Sequence, residues 1–372
     1  MRVIAAPDSF KGSISAAGAA AALARGWRGA RPGDQVTELP LADGGEGTLT
    51  MLAAAVPASR WHRATVSGPG TEPVDAAWLE LPGNVAVIEL ATAAGLTQLR
   101  ELQPLRAHSY GVGQLIAAAC DAGAGRIEVA LGGSACTDGG AGLLAALGAR
   151  FLDAAGRPVP RGGAGLADLA SVDLTGLRPP PASGVSCLTD VRAPLLGPAG
   201  AAAVYGPQKG ATAADIVILE ACLARLADLL GGDPGAPGAG AAGGCGYGLA
   251  AGWGACLLPG AAALASIAGL PGALAAADLV ITGEGQYDAT SGTGKVVGAV
   301  AVAAAAARVP VAIVAGRIAA PLPDGVAGID LVALAGSPAA AMSEPARWLE
   351  LAAARLAAGQ NPAAGGAGQA AR

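Results

Sequence analysis

Short β-branched apolar runs recur along the chain at 2–6, 36–39, 126–131, 278–282, 309–315 and 330–334. Each closes on glycine, aspartate or another turn signal, and alanine-rich stretches follow. That alternation predicts parallel strands with helices on both faces of the sheets. Ligands of such sheets collect at the carboxyl ends of the strands. The texture changes over 59–90, where WHRATVSGPG, VDAAWLEL and VAVIEL alternate polar and apolar positions between turns, which predicts β-hairpins. The later runs share the buried, parallel character of the first two. The expected organisation is a discontinuous α/β domain from 1–58 and 277–359 with a second α/β domain inserted at 59–276. The end of the chain, 360–372, reads as a disordered tail.

Composition narrows the function classes. At 372 residues the chain is too long for one ordinary core. Only 14% of residues are charged and the net charge is −5, with no basic run or stripe, so nucleic-acid binding has little electrostatic support. The segment 235–277 carries no charged side chain, yet Pro237, Pro259, Pro271 and many glycines interrupt it. Alanine and glycine supply little transfer energy, so packed loops and helices are expected there, not a membrane span. The six cysteines contain no C-x-x-C pair, which removes zinc-knuckle and dithiol redox motifs and leaves mostly buried free thiols. Asp8 interrupts the apolar start MRVIAAPDSF, which reads as a first strand and not a leader, so a cytoplasmic location is expected. Two histidines, His62 and His108, lie outside the glycine motifs, so a Ser-His-Asp hydrolase or a histidine-bound zinc enzyme is hard to build.

Candidate chemistry sits in glycine-rich turns that follow the apolar runs. ADGGEGT at 42–48 and TDGGAGL at 137–143 each set an aspartate, Asp43 or Asp138, before paired glycines that open a helix. Helix-opening N–H groups suit an anion such as phosphate, and a neighbouring carboxylate suits magnesium. A plain aspartate cap is the competing reading. PDSFKGS at 7–13 brings Asp8, Ser9 and Lys11 to a strand end, and LGGSACTDGGAG at 131–142 brings Ser134, Thr137 and Asp138. LTDVRAP places Asp190 after an apolar run, and GPQKGAT places Lys209 between glycines without Walker spacing. ITGEGQYDATSGTGK at 281–295 is the richest segment, with Gly283, Glu284, Asp288, Thr290, Ser291 and Lys295. Acid, hydroxyl and lysine together are what a magnesium–nucleotide loop requires. GAGAAG at 238–243 copies the dinucleotide spacing but follows a Pro/Gly loop and lacks the later acid, so it is read as a plain glycine loop.

Taken in order, PDSFKGS, ADGGEGT, SYGVGQLI, GGSACTDGGAG, TDVRAPLLGPAGAAAVYGPQKGAT, GAGAAGGCGYG and ITGEGQYD with its following GK resemble the glycerate kinase family, bacterial class I type. The motifs cover the chain to about 317. The resemblance implies transfer of the ATP γ-phosphoryl group to D-glycerate with Mg2+, with 2-phosphoglycerate favoured over the 3-isomer. It implies two α/β domains, one Rossmann- or flavodoxin-like with a parallel sheet, and a site in the cleft between them. Within that frame Asp190, then Asp8, orients and deprotonates the glycerate hydroxyl, and Lys11, Lys209 and Lys295 neutralise phosphate or carboxylate. Ser9, Ser134 and Asp138 hold the hydroxy acid, while Gly283, Glu284, Asp288 and Ser291 hold the nucleotide. Asp43 and Glu46, with Glu284, attend the metal. The family's usual GGSATNDGG becomes GGSACTDGG here, its D-V-x-N-P carries Ala193 at the asparagine, and its later Q-T pair is Thr290-Ser291. Loss of the amide at Ala193 bears on substrate preference. A kinase for another small hydroxy acid or polyol, and a nucleotide- or metabolite-sensing protein without turnover, are the alternatives. The partners expected are small molecules, with the chain a monomer or homodimer.

Overall fold

In a computed structural model describing residues 1–292 and 295–359, the chain forms two compact α/β units. One comprises 1–42 with the segment from 261 onward, the other Asp43–Gly260. The boundaries thus fall at 42/43 and 260/261, where the sequence reading puts them at 58/59 and 276/277. The difference has a local cause: helix Thr48–Ala55 packs its apolar side on strands Pro73–Leu81 and Val85–Glu89 of the second unit. At the other end, helix Leu270–Leu274 packs on helix Val296–Ala307 of the first. The tail expected at 360–372 lies outside the described residues.

The first unit holds a five-stranded, wholly parallel sheet in the order Ala327–Asp330, Val311–Ile318, Leu279–Tyr287, Arg2–Ala5, Gln35–Glu38. Numbered along the chain within this unit, the order is the flavodoxin-like 2-1-3-4-5. Strands Arg2–Ala5 and Leu279–Tyr287 flank the point where the chain direction across the sheet reverses, the position at which such sheets bind ligands. Successive side chains face opposite ways. Ala312 and Val314 join Val3, Ile281, Leu23, Trp27 and Leu349 beneath helices Ala16–Ala30 and Pro345–Gly359. Ile313 and Ala315 pack with Tyr287 and with Val297 of helix Val296–Ala307 on the other face.

Two expectations change in detail. The strand expected at 278–282 runs on to Tyr287, so Glu284 lies on a strand and not in a loop. Glycine permits this: Gly283 pairs with Val314, and a Cβ there would stand 1.9 Å from the Val314 carbonyl oxygen. The strand expected at 330–334 ends at Asp330, because the Asp330 carboxylate accepts from Ala333 N and caps helix Leu331–Ala335.

The second unit holds a six-stranded mixed sheet in the order Cys256–Leu258, Val185–Leu188, Arg126–Ala130, Val85–Glu89, Pro73–Leu81, Arg60–Ser67. The first four are mutually parallel, and the last two add the antiparallel ladders expected from the alternating segment. Arg150–Leu152 and Ser171–Asp173 form a small separate ladder. The uncharged 235–277 stretch becomes helix Ala241–Trp253, strand Cys256–Leu258 and helices Gly260–Ile267 and Leu270–Leu274. No helix among the described residues is long and apolar enough to cross a membrane.

Candidate active site

Two clusters of candidate residues form, one in each unit. In the first, Asp8 N donates to the Gly283 carbonyl at 2.8 Å, tying the two strand ends of the switch point together. Asp8 is buried to 9% exposure, and its Oδ1 accepts from Ser9 N at 2.6 Å. A tight turn follows, with Phe10 N bonded to Ile14 O and Ser13 N to Phe10 O, and it leaves Lys11 exposed. Ser15 then caps helix Ala16–Ala30.

Glu284 faces the same end of the sheet. It is buried, the Ser291 hydroxyl bonds its carboxylate, and Lys295 and Lys11 lie close enough to act on its charge. Among the described residues its Oε1 has no hydrogen-bond partner. Burial pushes the Glu284 carboxyl above its ordinary value, against the Ser291 bond and the two ammonium groups. Asp288 builds the turn beyond: its Oδ1 accepts from Thr290 N at 2.8 Å and Thr290 Oγ1 at 2.6 Å, while its N–H donates to Ser291 Oγ at 2.9 Å. These bonds, that to the Thr290 hydroxyl first, hold Asp288 below the usual carboxylate range. Lys295 is the residue before helix Val296–Ala307. Residues 293 and 294 of this segment lie outside the described residues.

A buried carboxyl with a raised folded value costs stability as it ionises. That cost is absent below the ordinary 4.5 and sets in as pH climbs through the folded value. Glu284→Gln removes it. Thermal melts of the variant and parent should therefore coincide at acid pH and separate towards neutrality, with the variant the more stable. Equal melts at both ends of the range would show that Glu284 carries no burial cost.

In the second unit the Asp43 turn crosses the strand ends. Gly132 N donates to Gly44 O at 2.9 Å, and Leu131 N to Leu188 O at 3.1 Å, so the loops bearing Asp43, Ser134 and Asp190 adjoin. Asp43 Oδ1 accepts from Gly45 N at 3.0 Å, and Glu46 accepts from Thr97 Oγ1 at 3.4 Å. Ser134 bridges to Gly95 and is 8% exposed. Asp190 follows strand Val185–Leu188 half-buried, after Thr189 N has been fixed to Leu258 O at 3.0 Å.

The helix N-termini expected to receive an anion already hold protein carboxylates. Glu89 accepts from Gly47 N and Leu49 N, both at 3.1 Å, at the start of helix Thr48–Ala55. Its burial raises the Glu89 carboxyl above its ordinary value. Asp138, 1% exposed, accepts from Ser109 N at 2.8 Å, from the Ser109 hydroxyl, and from Gly140 N and Gly142 N at 3.2 and 3.3 Å. Lys209 is likewise internal at 2% exposure. Its ammonium donates to the Cys136 carbonyl and lies 3.5 Å from Thr137 Oγ1, and burial pulls its value down. Asp138 and Lys209 thus brace the 131–142 loop from inside. Glu89, absent from the sequence reading, has a signal in hindsight: it is an acid closing the buried run VAVIE. The glycine loop at 238–243 packs on the same brace, since a Cβ at Gly243 would lie 2.1 Å from the Cys136 carbonyl oxygen.

His108 is 7% exposed, and its Nδ1 has no partner among the described residues. Burial lowers its value although Asp138 is near. Arg161 lies 3.4 Å over the ring of Tyr110, at the start of helix Tyr110–Asp121.

Known proteins resemble the chain over most of its length. The model of the glycerate kinase family matches residues 3–360. A glycerate kinase of Bacillus subtilis is 43% identical over 329 residues, covering 86% of this chain and 85% of that protein. A glycerate 2-kinase of Escherichia coli is 40% identical, covering 86% of each. A crystal structure from Salmonella typhimurium, provisionally named glycerate kinase 2, superposes with a TM-score of 0.82 at 38% identity over 96% of this chain and 98% of that one. With its motifs in family order and its two α/β units, the chain belongs to the glycerate kinase family, and it is an enzyme, a kinase.

Proposed function

We propose that the chain phosphorylates D-glycerate with ATP and Mg2+, giving 2-phosphoglycerate. The observation that carries the reading is the buried carboxylate Glu284. It stands at the topological switch point with one oxygen lacking a hydrogen-bond partner among the described residues and with lysines nearby. An oxygen so placed fits a hard cation, which takes carboxylate ligands, and Asp43 and Glu46 supply oxygens of the same kind. Bound there, magnesium would neutralise charge on the β- and γ-phosphates.

The chain's own residues do the rest by positioning. Lys11 and Lys295 balance phosphate charge, and the turn built by Asp288 and Ser291 holds the nucleotide loop in shape. Gly283 lets the strand approach its neighbour closely. Ser9 and Ser134 offer hydroxyls to the hydroxy acid. Asp190 accepts the proton of the attacking hydroxyl, with Asp8 second in line for that role. Asp138 and Lys209 act one step back, keeping the Ser134 loop in place. The relatives bearing the names glycerate kinase and glycerate 2-kinase support the substrate and the position phosphorylated.

Phosphorus NMR of the product formed from D-glycerate, ATP and Mg2+ tests the reading in one step. A 2-phosphoglycerate resonance is expected. A 3-phosphoglycerate resonance would overturn the regiochemistry. Turnover restricted to another hydroxy acid or polyol would overturn the substrate, and ATP binding without ADP release would favour a sensor.

A further inference from the structure

Two cysteines 109 residues apart in sequence lie side by side in the second unit. Cys136 belongs to the loop leaving strand Arg126–Ala130, and Cys245 to helix Ala241–Trp253. Their sulfurs are 3.7 Å apart, and both residues are fully buried. The two segments are fastened together by backbone: Gly139 N donates to Gly243 O at 3.0 Å. Ala242, Gly243 and Gly244 adopt left-handed φ values of 54°, 64° and 90° to make that approach. Asp138 Oδ1 lies 4.0 Å from the Cys245 sulfur, and the Lys209 ammonium is bonded to the Cys136 carbonyl.

We propose that Cys136 and Cys245 form a reversible disulfide that lowers turnover by pulling the 136–138 loop away from Lys209. A disulfide needs its sulfurs about 2.05 Å apart, so the pair must close by roughly 1.7 Å. Helix and loop are already closely packed, since a Cβ at Gly248 would stand 2.3 Å from the Gly139 carbonyl oxygen. Closure therefore strains the segment of Cys136, whose carbonyl Lys209 holds, and the strain reaches Ser134 and Asp138 through the same loop.

The oxidant is a peroxide. One thiolate sulfur attacks a peroxide oxygen, the O–O bond breaks, and the departing hydroxide takes a proton to leave as water. The sulfenic acid so formed is attacked by the second sulfur, which makes the S–S bond and releases a second water. Two thiols and one hydrogen peroxide thus give one disulfide and two waters. The hydrogen bond shared with Cys136 and then burial hold the Cys245 thiol well above its ordinary value, which keeps its thiolate fraction small. Cys136 Sγ, Asp138 Oδ1 and Cys245 Sγ also lie within 4.8 Å of one another, a spacing that a thiophilic cation accepts. The charge of Lys209 acts within that cluster and opposes a second cation, which favours the redox reading.

The inference leans on the proposed reaction only for its activity readout. Full-length protein treated with hydrogen peroxide, blocked under denaturing conditions and digested without reduction should yield a Cys136–Cys245 linked peptide. Turnover should fall at least 5-fold and return with dithiothreitol, while Cys245→Ser should keep its activity through the same treatment. Cys136→Ser serves equally if that variant folds poorly. Linkage confined to another pair, such as the neighbouring Cys187 and Cys256, would overturn the proposal. So would a linked peptide without loss of turnover, or equal inactivation of the serine variants. A reduced protein with no glycerate-dependent turnover counts against the proposed reaction, whereas the linked peptide decides the disulfide on its own.

Discussion

Asp190→Asn is expected to lower kcat for glycerate phosphorylation by at least about 100-fold, the usual scale for loss of a general base, with a smaller change in KM. The amide keeps the shape of the carboxylate and cannot take the hydroxyl proton. Asp190 stands half-buried at the end of strand Val185–Leu188, on a loop anchored by the Thr189–Leu258 bond, so the substitution should leave the fold alone. Unchanged thermal melting together with the kinetic loss would separate chemistry from stability. Near-normal turnover would move the base to Asp8, and Asp8→Asn would then show the 100-fold effect instead.

Asp138→Ala should act in the opposite way, through stability first. The carboxylate accepts from three backbone N–H groups and the Ser109 hydroxyl in a fully buried setting. Each orphaned buried donor costs about 1–3 kcal/mol, and the longer bonds to Gly140 and Gly142 count for less, so about 4 kcal/mol is expected. For a unit of this size that lowers Tm by roughly 10 °C. Denaturant titration monitored by tryptophan fluorescence checks it. A midpoint equal to that of the parent would mean that the four donors find other partners, and Asp138 would have to be returned to the substrate contacts. Asp138→Asn, which keeps one acceptor oxygen, should fall between.

The parallel sheets, the hairpins and the strand-end position of the loops bearing Asp8, Ser134 and Asp190 are readable from local pattern, because period and turn chemistry are encoded over a few residues. What escaped depends on distant partners. Glu89 reaches the helix start from 42 residues beyond Gly47, and nothing near ADGGEGT announces that its N–H groups are already taken. Lys209 between glycines reads as a phosphate cradle, yet its ammonium turns inward to a carbonyl 73 residues earlier. Glu284 reads as a loop acid because glycines surround it. Those same glycines let the strand continue beside Val311–Ile318. Asp330 reads as the start of a strand, yet its side chain ends one and opens a helix.

The parallel sheet of the first unit has a consequence for biogenesis. Strand Arg2–Ala5 is translated before the second unit, but its neighbour Leu279–Tyr287 only after the whole of it. At about 5–20 residues per second, the opening segment spends on the order of tens of seconds with one sheet edge bare. The 43–260 unit, whose strands all come from one contiguous stretch, can condense in that interval, so the amino-terminal strands are the stretch most in need of a chaperone's shelter.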